Sequence, residues 1–186
     1  MAVFRVRNFD LKIDLFIKGF KQTKAIHYRI CDQFLRFFFK FVNPRIKKIK
    51  VLRTPMNILD ALPAQSFQVW QGFAFEGICH SHSHLIAKAL GFGAVDYECG
   101  SVASGPDKPA LDLVYSRKDG VMTICEIKTS KNVDISVVKQ VRAQIESLQR
   151  STKKTVDAAL IATGKVDGRI DEDHLFTAIL GLNALM

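Results

Sequence analysis

Val121-Met122-Thr123-Ile124-Cys125-Glu126-Ile127-Lys128-Thr129 is the stretch on which the reading of this chain turns. It has the apolar, β-branched make-up of a strand buried on both faces, but it carries a glutamate and a lysine near its end. Side chains two apart on a strand share a face, so Glu126 and Lys128 project together while Ile127 turns the other way. Glu-x-Lys is common on solvated strands and says little alone. With Thr123-Ile124-Cys125 before it and Ile127 inside it, the pair is carried on a mostly buried strand, where Glu and Lys are rare unless they have a task. Just upstream, residues 110–116 form a second strand-like run, and Arg117-Lys118-Asp119-Gly120 supplies the turn of a hairpin. Antiparallel pairing through that turn brings Asp112 roughly opposite Glu126. Two carboxylates and an ammonium then crowd one edge of a sheet.

Outward from the hairpin, residues 66–90 predict a helix stopped by Gly91, and 95–101 a first strand. Residues 136–150 predict a second helix, 156–163 a further strand, 164–168 a loop and 173–185 a last helix. The order is helix, three strands, helix, strand, which is an α/β domain. Ahead of it, residues 16–20 and 25–30 flank a polar Lys21-Gln22-Thr23-Lys24 and predict a hairpin. Asp32 is placed to cap a helix through Phe34, Phe37, Phe38, Phe39 and Phe41 that Pro44 should end. Five phenylalanines in eight positions require a partner surface. The expected organisation is therefore 1–44 as a small hairpin-plus-helix segment, 45–65 as a connector and 66–186 as the main domain.

The net charge of +9 is uneven. Residues 1–55 hold 14 Lys or Arg against Asp10, Asp14 and Asp32, whereas the remainder holds 13 basic and 15 acidic residues. A basic block of this kind attracts phosphate backbones or an acidic partner, although a small solvated helix and hairpin would carry it equally well. Cys31, Cys79, Cys99 and Cys125 stand singly, with neither zinc-finger spacing nor a disulfide framework, so a reducing, cytoplasmic setting is expected. There is no apolar core of a secretion signal and no run of about 20 apolar residues to span a bilayer.

Asp112-Leu113-Val114, Glu126-Ile127-Lys128 and the helix–three strands–helix–strand order resemble the PD-(D/E)xK superfamily of restriction-endonuclease-like nucleases. More narrowly, His27-Tyr28-Arg29-Ile30-Cys31-Asp32-Gln33-Phe34-Leu35-Arg36-Phe37 resembles the aromatic linker helix of a group of bacterial and archaeal AAA-type ATPases. Trp70-Gln71-Gly72-Phe73-Ala74-Phe75-Glu76, followed by Cys79, His82, Ile86 and Ala89-Leu90-Gly91, resembles the helix that opens their carboxyl-terminal nuclease-like domain. The superfamily's Pro-Asp is Leu111-Asp112 here. No G-x-x-x-x-G-K-[ST] occurs, so the ATPase core of that group is missing from this sequence, and residues 1–44 would correspond only to a winged-helix wing and the linker. The chain thus looks like a truncated or stand-alone relative, and no ATP-driven role is expected of it.

The resemblance implies an α-β-β-β-α-β core and a catalytic set of Glu76, Asp112, Glu126 and Lys128. Asp112, Glu126 and Glu76 would hold Mg²⁺ (or Mn²⁺), and Lys128 would assist an attacking water. The substrate would be nucleic acid, DNA first, with a protein partner or homodimer also possible. The alternative is a catalytically inactive module on the same fold that binds nucleic acid or a partner protein.

Other polar features have plainer readings. His80, His82 and His84 cannot converge on one ion from a continuous helix, and are expected to be core and surface histidines. Gln140 and Gln144 could approach the site from the second helix, as a glutamine does in some nucleases of this fold, but a solvated helix face is the preferred reading. Lys131 and Lys139 are taken as surface charges, and Trp70 as a packing anchor.

Overall fold

The computed structural model describes residues 32–51, 62–102 and 109–185. The hairpin expected at 16–30 lies outside them. Helix α1 (Gln33–Phe37) begins as the sequence suggests: Asp32 Oδ1 accepts the Leu35 N–H at 3.0 Å. Pro44 does not end the helical path. A π turn (Phe38–Val42) and a 3₁₀ turn (Asn43–Arg45) lead into α2 (Ile46–Val51). Pro44 sits in the first turn of the 3₁₀ segment, where its missing N–H is not needed.

The expected helix over 66–90 is two helices, α3 (Ala64–Ser81) and α4 (Ser83–Ala89). The break is at His82, whose backbone leaves the helical region (φ −109°, ψ 24°). Two serines and three histidines around the break contribute no strong helix former. α4 stops before Gly91, which takes φ +80°.

The remaining elements are β1 (Tyr97–Val102), β2 (Leu111–Arg117), β3 (Val121–Lys128), β4 (Asn132–Val133), α5 (Ser136–Gln149), β5 (Thr155–Ala162), β6 (Lys165–Val166), α6 (Gly168–Glu172) and β7 (Phe176–Leu180). Five strands form one mixed sheet in the order β1-β2-β3-β5-β7. β1, β2 and β3 pair antiparallel, whereas β3, β5 and β7 pair parallel. The parallel pairs need crossovers, and α5 and α6 supply them. The fold is α/β, as expected.

Two expectations fail in the last quarter. Residues 164–168 are not a plain loop, because Lys165–Val166 pairs with Asn132–Val133. Gly164 permits this: a Cβ there would lie 2.2 Å from the Ser130 carbonyl oxygen. Residues 173–185 form β7 and a 3₁₀ turn (Leu182–Leu185) where a helix was expected. The open edge of β5 is the reason, since Phe176-Thr177-Ala178-Ile179-Leu180 satisfies its backbone there and tertiary pairing overrides local propensity.

β3 is buried on both faces, which explains its unbroken apolar run. Met122 and Ile124 pack with Val137, Val138, Val141 and Leu148 of α5 and with Leu160 of β5. Cys125 and Ile127 pack on the other side with Phe75 and Cys79 of α3, Ile86 of α4 and Ile161 of β5. Beyond this core, Phe37 and Phe41 meet Phe67 and Trp70 of α3, the latter two rings stacked at 5.6 Å. Trp70 is thus a packing anchor, and α3 is the partner surface for part of the phenylalanine helix. Phe34 and Phe39 remain exposed.

Candidate functional site

Glu126 follows Ile124 on the α5 side of the sheet, one position short of where the apolar core ends. It is only 4% exposed, and its carboxylate is held by three donors. Oε1 accepts from Lys128 Nζ at 2.6 Å and from Gln140 Nε2 at 2.8 Å. Oε2 accepts from Gln144 Nε2 at 3.3 Å, and the same amide reaches the Ala110 carbonyl at 3.0 Å. One amide nitrogen carries two hydrogens, so both bonds can form. Lys128 keeps a third of its side chain in solvent.

Gln144 does not lie on a solvated helix face, contrary to the preferred sequence reading, whereas Gln140 is exposed as that reading expects, with its amide turned to Glu126. The signal for Gln144 was present: Val137, Val141, Gln144 and Leu148 form a single i, i+4, i+7, i+11 stripe, and all four are buried. Gln140 is one turn before Gln144 on the same side, where it reaches Glu126.

Asp112 is positioned by irregularity in its strand. The β2–β3 ladder runs from Ser116↔Met122 to Leu113↔Cys125; continued by one residue, it would set Asp112 against Glu126. On the other edge the β1–β2 register slips between Gly100 and Val102. Strict alternation also breaks here, because Leu111 packs on the α5 side with Val114 although Leu113 and Tyr115 pack on the α3 side. Bulges of this kind re-aim side chains. Asp112 Oδ2 accepts the Ile127 N–H at 2.9 Å, so its carboxyl rests against β3 at the peptide joining Glu126 to Ile127. Burial pushes the Asp112 carboxyl up to about 6, and the negative charge of Glu126 adds to it. The Ile127 N–H opposes the rise, Glu76 increases it and Lys128 lowers it.

Glu76 lies on α3, as expected, close enough for its charge to act on Asp112 and on Cys79. The Cys79 thiol is pushed up to about 12, chiefly by burial, and is no nucleophile. His80, read as an ordinary histidine, has its Nε2 2.8 Å from the Asp112 carbonyl oxygen. His82 Nδ1 lies 3.0 Å from the Ile78 carbonyl oxygen, beside the helix break.

Glu126, Lys128 and Asp112 therefore meet at one end of β3, with Glu76 approaching from α3. Among the described residues, no three His, Cys, Asp or Glu side chains form a group that could by itself hold a metal ion. No family model, curated protein or solved structure matches this chain. The case for function therefore lies in the chemistry of these side chains.

A hard divalent cation bound only partly by protein would need fewer protein ligands than such a group of three. Mg²⁺ commonly takes one or two carboxylates and fills its remaining positions with water and substrate phosphate. Asp112 and Glu126 are the two carboxylates at this end of β3, and the Asp112 carboxyl is raised first by its burial and then by the charge of Glu126. Lys128 supplies a partly exposed ammonium, held at 2.6 Å by Glu126. Among the described residues, no helix is long and apolar enough to cross a membrane.

Proposed function

We propose that the open end of β3 is a phosphodiesterase site and that the chain is a Mg²⁺- or Mn²⁺-dependent nuclease of the PD-(D/E)xK type, with DNA as its first substrate. The observation carrying this reading is the Asp112 carboxyl seated on the N–H of Ile127, the residue between the paired Glu126 and Lys128. Apart from the two-residue β4, which lies outside the five-stranded sheet, the succession α3–α4, β1, β2, β3, α5, β5 supports a restriction-endonuclease-like core.

Each residue has a task in this reading. Asp112 and Glu126 offer carboxylate oxygens to the cation, and Glu76 adds negative charge from α3. The cation, when bound, makes a water more acidic and offsets charge on the phosphate. Gln140 and Gln144 hold the Glu126 carboxylate in one orientation, which leaves little reorganisation for the reaction itself. Lys128 orients the attacking water, or meets the charge growing on the phosphate as the water oxygen bonds to phosphorus and the leaving oxygen departs.

The test is nicking of supercoiled plasmid with Mg²⁺ or Mn²⁺. The wild type should cut, and Lys128→Ala and Asp112→Ala should each lose about 10²–10³-fold in rate. Undiminished cutting by both variants would mean that the site is elsewhere.

A second reading is favoured by one observation: Lys128, Gln140 and Gln144 already satisfy both oxygens of Glu126 without any cation. The domain would then be an inactive module that binds nucleic acid or a protein. DNA affinity in EDTA that falls steeply with salt, alongside an absence of cutting, would select nucleic-acid binding over the enzyme.

A further inference from the structure

We infer that His80 is a positioning residue, which fixes the Asp112 backbone so that the Asp112 carboxyl stays on the Ile127 N–H. A carbonyl oxygen only accepts, so the 2.8 Å contact with Asp112 requires the hydrogen on His80 Nε2. Asp112 needs such support. It lies one residue past the end of the β2–β3 ladder, and the β1–β2 register slips beside it, so neither neighbouring strand secures it in a regular pairing. Its carboxyl nevertheless takes over an N–H of β3. The imidazole supplies the missing restraint from the adjacent layer.

α3 is built to deliver it. Gly72, Glu76 and His80 recur every four residues and so lie along one helix face. At the start of that face, a Cβ on Gly72 would sit 3.8 Å from Thr129 Oγ1, just beyond the end of β3. At its end His80 reaches β2. The face thus runs across the end of the hairpin, with Glu76 between the two contacts. Where a metal-binding carboxylate is held by its surroundings, loss of the holding group weakens the metal without removing a ligand. For Asp112 as a metal ligand, this inference rests on the proposed function; for the Asp112–Ile127 contact it does not.

Amide hydrogen exchange on the full ¹⁵N-labelled chain, without metal, reads that contact directly. In His80→Ala the Ile127 amide should exchange about five- to tenfold faster, while Leu160 and Ile161 of β5 keep their wild-type rates. His80→Gln, which restores a donor, should recover most of the protection. Ile127 exchange that changes no more than that of β5 would overturn the inference. Should His80→Ala not fold, the ring ¹⁵N shifts of the wild type decide instead: an Nε2 bearing hydrogen supports it, and an Nε2 without one overturns it. Mn²⁺ titration separates the two readings. A tenfold weaker midpoint in His80→Ala, on the order expected for loss of a supporting group, sustains both. A wild type that takes no Mn²⁺, with the Ile127 effect intact, removes the metal and leaves the positioning role standing.

Discussion

The two ends of the β2–β3 hairpin handle charge differently. At the turn end, the Arg117 guanidinium lies 4.4 Å from the centre of the Phe92 ring and pairs with the Asp119 carboxylate. Lys154 Nζ donates to Ser116 Oγ and to the Arg117 carbonyl, and edge-to-face contacts link Phe92, Tyr97 and Tyr115. The Tyr115 hydroxyl donates to the Ser83 carbonyl at 2.8 Å, tying α4 to the sheet. Cations there rest on an aromatic face, a carbonyl, a hydroxyl and an exposed carboxylate, although the buried Arg117 Nε has no hydrogen-bond partner among the described residues. At the open end, Lys128 pairs with Glu126 while the nearby Asp112 carboxyl has no ion pair among the described residues, the β2–β3 ladder has ended, and that carboxyl caps a strand N–H. The same two strands therefore hold a stabilised end and an end at which stability is given up for charge proximity, as functional sites commonly do.

If that contrast is right, damage at the turn end should lower stability and leave the open end alone. The largest effect belongs to Phe92, which is 3% exposed and touches both tyrosines and the arginine. Phe92→Ala should cost about 3–5 kcal/mol, through the cavity and the lost ring contacts. Urea unfolding at pH 7 measures it. A cost below about 1 kcal/mol would show that the aromatic cluster is not what holds this end.

The open end should answer to pH. The Asp112 carboxyl at about 6 lies above the ~3.9 of an unfolded chain, so folding disfavours its charged form. A raised folded value means the penalty is present above about pH 6 and absent below about pH 4. Asp112 should therefore make the chain more stable by about 2–3 kcal/mol as pH falls from 7 to 4, set against the opposite trend of ordinary paired carboxylates. Asp112→Asn keeps an oxygen for the Ile127 N–H and removes the charge. It should stabilise the protein at pH 7 by about 2 kcal/mol and abolish this part of the pH dependence. Equal slopes for wild type and variant between pH 4 and 7 would contradict the description of the open end.

The sequence was legible where local chemistry and tertiary structure agree. Asp32 caps as a short polar side chain before an apolar helix should, and Glu126 and Lys128 share a face because strand geometry leaves no other option. The hairpin turn was likewise visible in Arg117-Lys118-Asp119-Gly120. It was illegible where a distant partner decides. Nothing local turns 176–180 from helix to strand; the free edge of β5 does. The helix break at His82 was hidden in a run whose helical pattern continues on both sides. For the candidate site, the charged triplet could be read, but the donors around it could not be read from charge alone. Gln144 was recoverable from its place on the buried stripe of α5, whereas His80 depends on a carbonyl exposed by a register slip that no spacing announces.

The smallest effect tests whether the two ends are mechanically separate. Gly120 closes the hairpin with φ +87°, and a Cβ built there meets nothing within 4 Å. The cost of Gly120→Ala is thus backbone strain alone, about 1 kcal/mol, without any steric term. Gly120→Asn, which tolerates this conformation better, should cost less than Ala. Both can be measured from urea midpoints, with the Ile127 amide followed in the same samples. Because five residues of β3 and the packed faces of α3 and α5 lie between Gly120 and Glu126, the strain should be absorbed at the turn, and Ile127 exchange should shift only with global stability. A selective rise in Ile127 exchange on so mild a change would mean that β3 slides as a rigid rod between its neighbours. The open end would then owe its geometry to the register set at the turn, and not to Asp112, His80 and the glutamines around it.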